Sequence, residues 1–460
     1  MQDSTSRGIA SAPMILARLE RIPPSRWHLK VRAILGIALL FDALDLLAIS
    51  FALPAFVNAW KLPPSEIGWI ISAAFIGQLL GALVAGWLAE RVGRVPVIAG
   101  AVALFSIMSF CCALSGSFGP LVAARFLEGV GLGAEVPIAN TYINELARGA
   151  ERGRFYVLYQ TLFAFGLIGA GFLGFVMVPR IGWQSMFYVG TLPIVLALAL
   201  PRLLPESPRW LVSRGRLAEA DAAVSAIERS VAAQGKSLPP PVLAPARAAP
   251  AAAREESRWQ EIFEGIYRHR TFSVWAMWFC CFSTTYGLQA WLPTLYRTAF
   301  HMGVSDSNLY GLITQCCGIF GSFLCAFSVD RTGRRPWFVF ALLGGGTTLL
   351  ALAAVGPQTA ERLLIFVSVA SFFMSSAAIG LNLYTSELYP TRIRAFGGAV
   401  GGAWQRVAAA LGPLVVGYLA PLYGLGTVLL YFGGLALIGA LVTYIWADET
   451  GGRPLEEVSP

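Results

Sequence analysis

Six ionisable side chains stand inside long apolar runs of this sequence. Asp42 and Asp45 are three apart in Phe41-Asp42-Ala43-Leu44-Asp45, which places them on one face of a helix. Arg125 and Glu128 are also three apart, and Glu135 follows seven residues later. Arg406 lies in Trp404-Gln405-Arg406-Val407, with no acid between Arg394 and Asp448 to neutralise it. The chemistry these residues suit is proton and anion exchange. Two neighbouring carboxylates disfavour each other's charge, so one of them can bind and release a proton. Arg125 can hold Asp45 ionised, and protonation of the aspartate would release it; alternatively Arg125 and Glu128 neutralise each other and leave Asp45 to another partner. Asp42, Asp45, Arg125 and Glu128 are therefore the proton-coupling candidates, while Glu135 reads as part of a glycine-rich packing motif. A guanidinium offers a carboxylate two parallel hydrogen bonds, so Arg406 reads as an anion clamp, against the alternative of a pair with Asp42, Asp45 or Glu387.

Other polar and aromatic side chains at helix depth are candidates to line a cavity around Arg406. They are Tyr156, Tyr159 and Gln160; Tyr286 and Gln289; Gln315; Asn382 and Tyr384; and Trp404 and Gln405. Rings that stack and amides that fix heteroatoms suit a flat, small anion. Parts for bond-making chemistry are missing. His28, His269 and His301 sit in loops or at helix ends, and no Cys-x-x-Cys or His-Glu-x-x-His occurs, so no metal site, no cofactor and no enzyme are expected.

The elements that hold these residues must be membrane helices. Of 460 residues 56% are hydrophobic and 13% charged, against roughly 25% charged in a soluble domain. At about 20 residues per span the apolar content suffices for about twelve helices. The runs lie near 33–57, 67–89, 95–116, 120–145, 155–178 and 184–204, then 271–296, 308–329, 337–355, 361–388, 395–419 and 425–447. The expected fold is all-α, with twelve transmembrane helices in two six-helix pseudo-symmetric bundles, 1–204 and 268–460. A cytoplasmic linker, 205–267, joins them, partly an amphipathic helix around Leu217 to Arg229 and partly flexible through the Ala/Pro-rich stretch from Ala232 to Ala253. The first run, with its two aspartates and no cleavage site, reads as a first span and not a signal peptide. The seven cysteines fall in apolar runs and read as small buried apolar residues.

The net charge of +8 is mainly a topology signal. Arginines crowd the N-terminus and the connections after the even-numbered spans, including Arg91, Arg94, Arg148, Arg152, Arg331, Arg334, Arg392 and Arg394, while the opposite connections hold little beyond Lys61, Arg180, Arg297 and Arg362. Both termini are thus expected in the cytoplasm, and a nucleic-acid partner is disfavoured.

The halves repeat. Gly86-x-x-x-Glu90-Arg91-x-Gly93-Arg94-x-Pro96 recurs 240 residues later as Ala326-x-x-x-Asp330-Arg331-x-Gly333-Arg334-Arg335-Pro336. At these residues the chain resembles the Major Facilitator Superfamily, whose signature is this doubled loop. Arg125-x-x-x-Gly129-x-Gly131-x-Gly133-x-Glu135-x-Pro137, Pro205-Glu206-Ser207-Pro208-Arg209 and Glu387-x-x-Pro390-Thr391-x-x-Arg394 narrow the resemblance to the branch of sugar porters, organic ion transporters and bacterial metabolite:proton symporters. The resemblance implies conformational latches at Gly86, Glu90, Arg91, Gly93, Arg94, Glu145 and Arg152, and at Asp330, Arg331, Gly333, Arg334, Glu387 and Arg394. Span 7 lacks the Gln-Gln pair of sugar porters, and the fifth run has no proline of the drug-antiporter type. The Phe41–Asp45 segment resembles the niacin-type symporters. The expectation is a monomeric, multi-pass carrier of a bacterial inner membrane that imports a small organic anion, nicotinate or another aromatic monocarboxylate, with protons by alternating access. A sugar or organic cation carrier is the alternative within the superfamily, and a transport-inactive sensor on the same scaffold is the alternative outside it.

Overall fold

A helix satisfies its own backbone, and every regular element among the described residues is a helix. The computed structural model describes residues 11–146, 152–242, 259–390 and 393–451, without the side chains of 152–157, 259, 394 and 395. In order these are α1 (Ala12–Glu20), α2 (Arg26–Phe56), α3 (Pro64–Val92), α4 (Arg94–Leu114), α5 (Phe118–Leu146), α6 (Arg152–Val176), α7 (Val178–Ile181), α8 (Gln184–Thr191), α9 (Ile194–Leu203), α10 (Pro208–Ser213) and α11 (Leu217–Ala232). After a 3-10 turn at Trp259–Phe263 come α12 (Gly265–Gln289), α13 (Leu292–Ala299), α14 (Val304–Thr332), α15 (Arg334–Val355), α16 (Ala360–Leu388) and α17 (Arg394–Trp446).

Among the described residues nine helical segments are long and apolar enough to cross a membrane. α5 and α12 are equally long but more polar, and α17 turns a corner at Gly424, whose φ of 81° suits only a residue without a Cβ. With α5, α12 and the two arms of α17 counted separately, twelve rods result. Two expected spans are interrupted by proline, which cannot donate a helical hydrogen bond. The run 184–204 divides into α8 and α9 at Pro193, and the run 271–296 ends at Gln289 before α13 restarts with Pro293 in its first turn.

α3 and α5 touch backbone to backbone. A Cβ on Gly129 would stand 2.0 Å from the Ala74 carbonyl oxygen, and one on Gly133 2.1 Å from that of Gln78. This glycine stripe brings the charged face of α5 to a fixed height beside α3 and α4. In the second half Gly321 of α14 approaches Phe372 of α16 in the same way, at 2.0 Å.

The helix expected around Leu217 to Arg229 is α11, and it does not stand alone. The N-terminal α1, unforeseen in the sequence, lays Ile15 and Leu19 against Trp210, Val224, Ile227 and Val231. Arg18 and Arg21 each reach Glu228 at 2.6 Å. Burial opposes the Glu228 charge, but the hydrogen bonds from the two guanidiniums prevail and hold its carboxyl below the usual range. The rest of the expected flexible linker, from 243 onward to 258, lies outside the described residues.

Candidate functional site

α2 and α5 bring the predicted acid and arginine cluster together. Arg125 and Glu128, one turn apart on α5, pair at 2.5 Å, and Arg125 Nη1 lies 3.8 Å from Asp45 Oδ2. Both readings of the sequence are therefore present at once: Glu128 is the close partner and Asp45 the longer one. Asp45 Oδ1 also accepts from Ser109 Oγ of α4 at 3.1 Å. All three side chains are sealed from solvent, at 1% exposure or less. Gly190 of α8 leaves the room for this contact, since a Cβ there would stand 2.7 Å from Asp45 Oδ1. Asp42, one turn earlier, is 6% exposed and faces α17.

On α17 the partly buried Arg406 has Asp42 and Tyr286 as its charged and phenolic neighbours. Its Nη1 donates to the Gly402 carbonyl one turn back, at 3.0 Å, and its Nε has no hydrogen-bond partner. Among the described residues no carboxylate lies within ion-pair distance of it. Of the partners considered from sequence, Asp45 is engaged by Arg125, and Glu387 is taken by Arg334 at 3.0 Å.

The predicted lining residues divide into two groups. Gln405 and Tyr286 stand beside Arg406, and the Tyr286 ring meets Phe75 of α3 with centroids 5.2 Å apart. Gln289 of α12 donates to Ser371 of α16 at 3.1 Å, where Thr285 and Met374 complete a small pocket. Gln160 and Gln315 are partly buried and buried respectively, and Asn382 is exposed. Trp404, in contrast, points to the other side of α17, where its ring packs against Trp275 at 5.3 Å. Tyr159 is fully buried in the core. Tyr384 is drawn into packing as well, donating to the Asp448 carbonyl at 2.8 Å. A period that puts a residue on a helix does not say which neighbour its face will meet. The Tyr156 side chain lies outside the described ones.

The doubled loop forms two matching ion-pair clusters at the arginine-rich end. Arg94 binds Glu90 and Glu145, both at 2.9 Å, and Arg334 binds Asp330 at 2.7 Å and Glu387 at 3.0 Å. Gly93 and Gly333, with φ of 114° and 90°, make the turns that start α4 and α15. Each start is capped by an acid that the sequence reading did not single out. Glu206 accepts from the backbone of Arg94 at 2.9 Å and Val95 at 3.2 Å, and Glu449 from Arg334 at 2.9 Å and Arg335 at 3.0 Å. Such carboxylates satisfy free helical N–H groups and oppose the positive end of the helix dipole. Burial nevertheless holds Glu206 above the usual carboxylate range, with those backbone bonds acting against it. A tyrosine stands behind each: Tyr142 donates to the Pro205 carbonyl at 2.6 Å, as Tyr384 does to that of Asp448. The local signal for the first was the Pro205-Glu206-Ser207 motif itself. Of the other predicted latch residues, Arg91 lies over the Trp87 ring at 3.7 Å, Arg331 is exposed, and Gly86 meets no neighbour within 4 Å, so no close approach requires it. The side chains of Arg152 and Arg394 fall outside the description.

The family profile described as sugar (and other) transporter matches residues 47–460. The chain belongs to this transporter family. Its curated relatives in the family include the niacin transporter NiaP of Acinetobacter baylyi, 32% identical over 448 residues, which cover 96% of this chain and 99% of that one. The 4-hydroxybenzoate transporter PcaK of Pseudomonas putida is 31% identical over 440 residues, covering 91% and 93%. Among solved structures, a partially occluded inward-open form of the xylose transporter XylE from E. coli superposes with a TM-score of 0.70 at 21% identity, over 94% of this chain and 100% of that one. The fold is therefore that of the major facilitator superfamily, and the chain is a multi-pass membrane transporter.

Proposed function

We propose that this transporter imports a small aromatic monocarboxylate of the nicotinate or hydroxybenzoate kind together with protons, by alternating access between two six-helix bundles, 1–204 and 268–460, with both termini in the cytoplasm. The observation that carries the substrate class is Arg406: a partly buried guanidinium with a donor to spare, in the field of Asp42 and Tyr286 and, among the described residues, paired with no carboxylate. The names of NiaP and PcaK point to the same class of solute.

Proton coupling follows from charge balance. Among the described residues, the middle of the spans holds four carboxyl groups, Asp42, Asp45, Glu128 and Glu135, and two guanidiniums, Arg125 and Arg406. Asp42 lies in the field of Arg406 without pairing to it, and an arriving substrate carboxylate neutralises that guanidinium. Asp42 is then a carboxylate in a low-dielectric site without a cation, and the stable outcome is to take up a proton. One anion then enters with one proton, and the loaded site keeps the net charge of the empty one, which is what a site must do if it is to close in the membrane. Arg125, held between Asp45 and Glu128, keeps the second pair of acids from needing a partner from α17. No step in this cycle makes or breaks a covalent bond other than to hydrogen, so the protein acts as a carrier and not as an enzyme.

The test is uptake into proteoliposomes of radiolabelled nicotinate, benzoate and glucose, with and without an inward proton gradient. Accumulation of an aromatic acid only with the gradient is the expected result; glucose uptake, or no uptake of any, would overturn the reading.

A further inference from the structure

Glu135 is a buried acid that the coupling scheme leaves unused. It is 0% exposed, and neither of its carboxyl oxygens has a hydrogen-bond partner. Among the described residues no cation reaches it: Arg125 stands ten residues earlier on the same helix, about 15 Å along the axis at 1.5 Å per residue. Of the helices packed on α5, α3 offers only the neutral Gln78, whose Nε2 is likewise unpartnered, and carries no titratable group between Glu66 and Glu90. α4 offers Cys112, which is beside Glu128. α6 offers the phenol of Tyr159. α2 supplies Asp42, the charged group whose field reaches Glu135, and behind Asp42 stands Arg406 on α17. An ionised carboxylate with no donor, no cation and an anion for its neighbour is not a stable occupant of a protein interior.

We infer that Glu135 is a neutral carboxylic acid in this conformation and that it is a carrier of the transported proton, exchanging it with Asp42. The inference rests on the symport reading above and adds a residue to it. In the empty carrier the two acids share one proton, which passes from the Glu135 O–H to an Asp42 oxygen and leaves Glu135 as the carboxylate until it returns; substrate binding brings a second proton from solvent and leaves both acids neutral. Asp42, at 6% exposure against 0% for Glu135, is the member of the pair that meets solvent. Two facing acids of which only one is ionised at a time make such an exchange possible, because each proton lost by one raises the hold of the other.

The experiment uses purified full-length protein and the near-isosteric E135Q variant, which cannot lose a proton. Accumulation of labelled nicotinate driven by a pH gradient is measured beside counterflow, the exchange of labelled for unlabelled substrate without a gradient. The expected result is that E135Q loses gradient-driven accumulation and retains counterflow. In infrared difference spectra, E135Q should also lose a protonated-carboxyl C=O band present in the wild type, a signature that a packing role would not give. E135Q that accumulates like the wild type, E135Q that is folded yet loses counterflow as well, or an unchanged carboxyl band would each overturn the inference. A wild type that exchanges substrate but ignores the pH gradient would overturn the symport reading and this inference with it, so the two failures are distinguishable.

Discussion

Among single residues, the buried charges differ in whether they have partners. The types and depths of Asp42, Asp45, Arg125, Glu128 and Arg406 were legible in the sequence because a charge in an apolar run is conspicuous. Their pairing was only half legible: a spacing of three suggests Arg125–Glu128, but the 3.8 Å approach of Asp45 depends on the packing of α2 on α5. The isolation of Glu135 and the capping by Glu206 and Glu449 depend on segments far apart in the chain. Glu206 lies 112 residues from the helix start it caps, so its motif marks the residue without saying what it caps. The clamp makes a graded prediction. R406A should raise the half-saturating concentration for nicotinate about tenfold or more, since truncating one partner of a buried charge pair costs about 2–5 kcal/mol and each 1.4 kcal/mol is tenfold. R406K, with a point charge in place of a planar fork, should recover part of that loss. Concentration-dependent uptake checks both, and an unchanged half-saturating concentration in R406A would remove the clamp.

At the scale of elements, helices that touch backbone to backbone set the height of the charged side chains. A Cβ on Gly129 would stand 2.0 Å from the Ala74 carbonyl oxygen, so G129L must push α5 away from α3. Overpacking of this kind costs about 1–3 kcal/mol and displaces Arg125 from Asp45. The expected outcome is a lower melting temperature in detergent together with lost uptake, read by thermal unfolding followed by transport assay. The glycine motif made this interface legible, whereas the docking of α1 on α11 was hidden because the N-terminal segment reads as merely basic. That docking has a pH dependence. Glu228 has its carboxyl held below the usual range in the folded protein, so its stabilising contribution is present above the ordinary carboxylate range and is lost as pH falls through the lowered folded value. Limited proteolysis of α1 should therefore accelerate in acid, and R18A should show the same accelerated cleavage already at neutral pH.

At the scale of the whole molecule, the contacts between the helices before residue 204 and those after 265 gather at the end away from the arginine clusters. Asn308 donates to the carbonyls of Phe51 at 3.1 Å and Gly174 at 2.8 Å, and Ser72 to that of Ala410 at 2.6 Å. With the topology proposed above, these contacts form a seal on the outer side. Loss of the Asn308 bonds should loosen that seal. In an N308A background a cysteine placed at Gln289 is expected to react faster with a membrane-impermeant thiol reagent added outside, and equal rates would argue against a seal at this layer. The repeat at an offset of 240 made the two-fold plan legible, but not which end is closed, because that depends on side chains meeting across the halves.

In the proposed cycle a substrate carboxylate neutralises Arg406, and Asp42, deprived of that field, then binds a proton. Calorimetric titration of nicotinate into the purified transporter, repeated in buffers of different ionisation enthalpy, counts the protons taken up on binding. Net proton uptake with the wild type and none with D42N is the expected result. Binding without proton uptake in the wild type, or the same uptake in D42N, would contradict it.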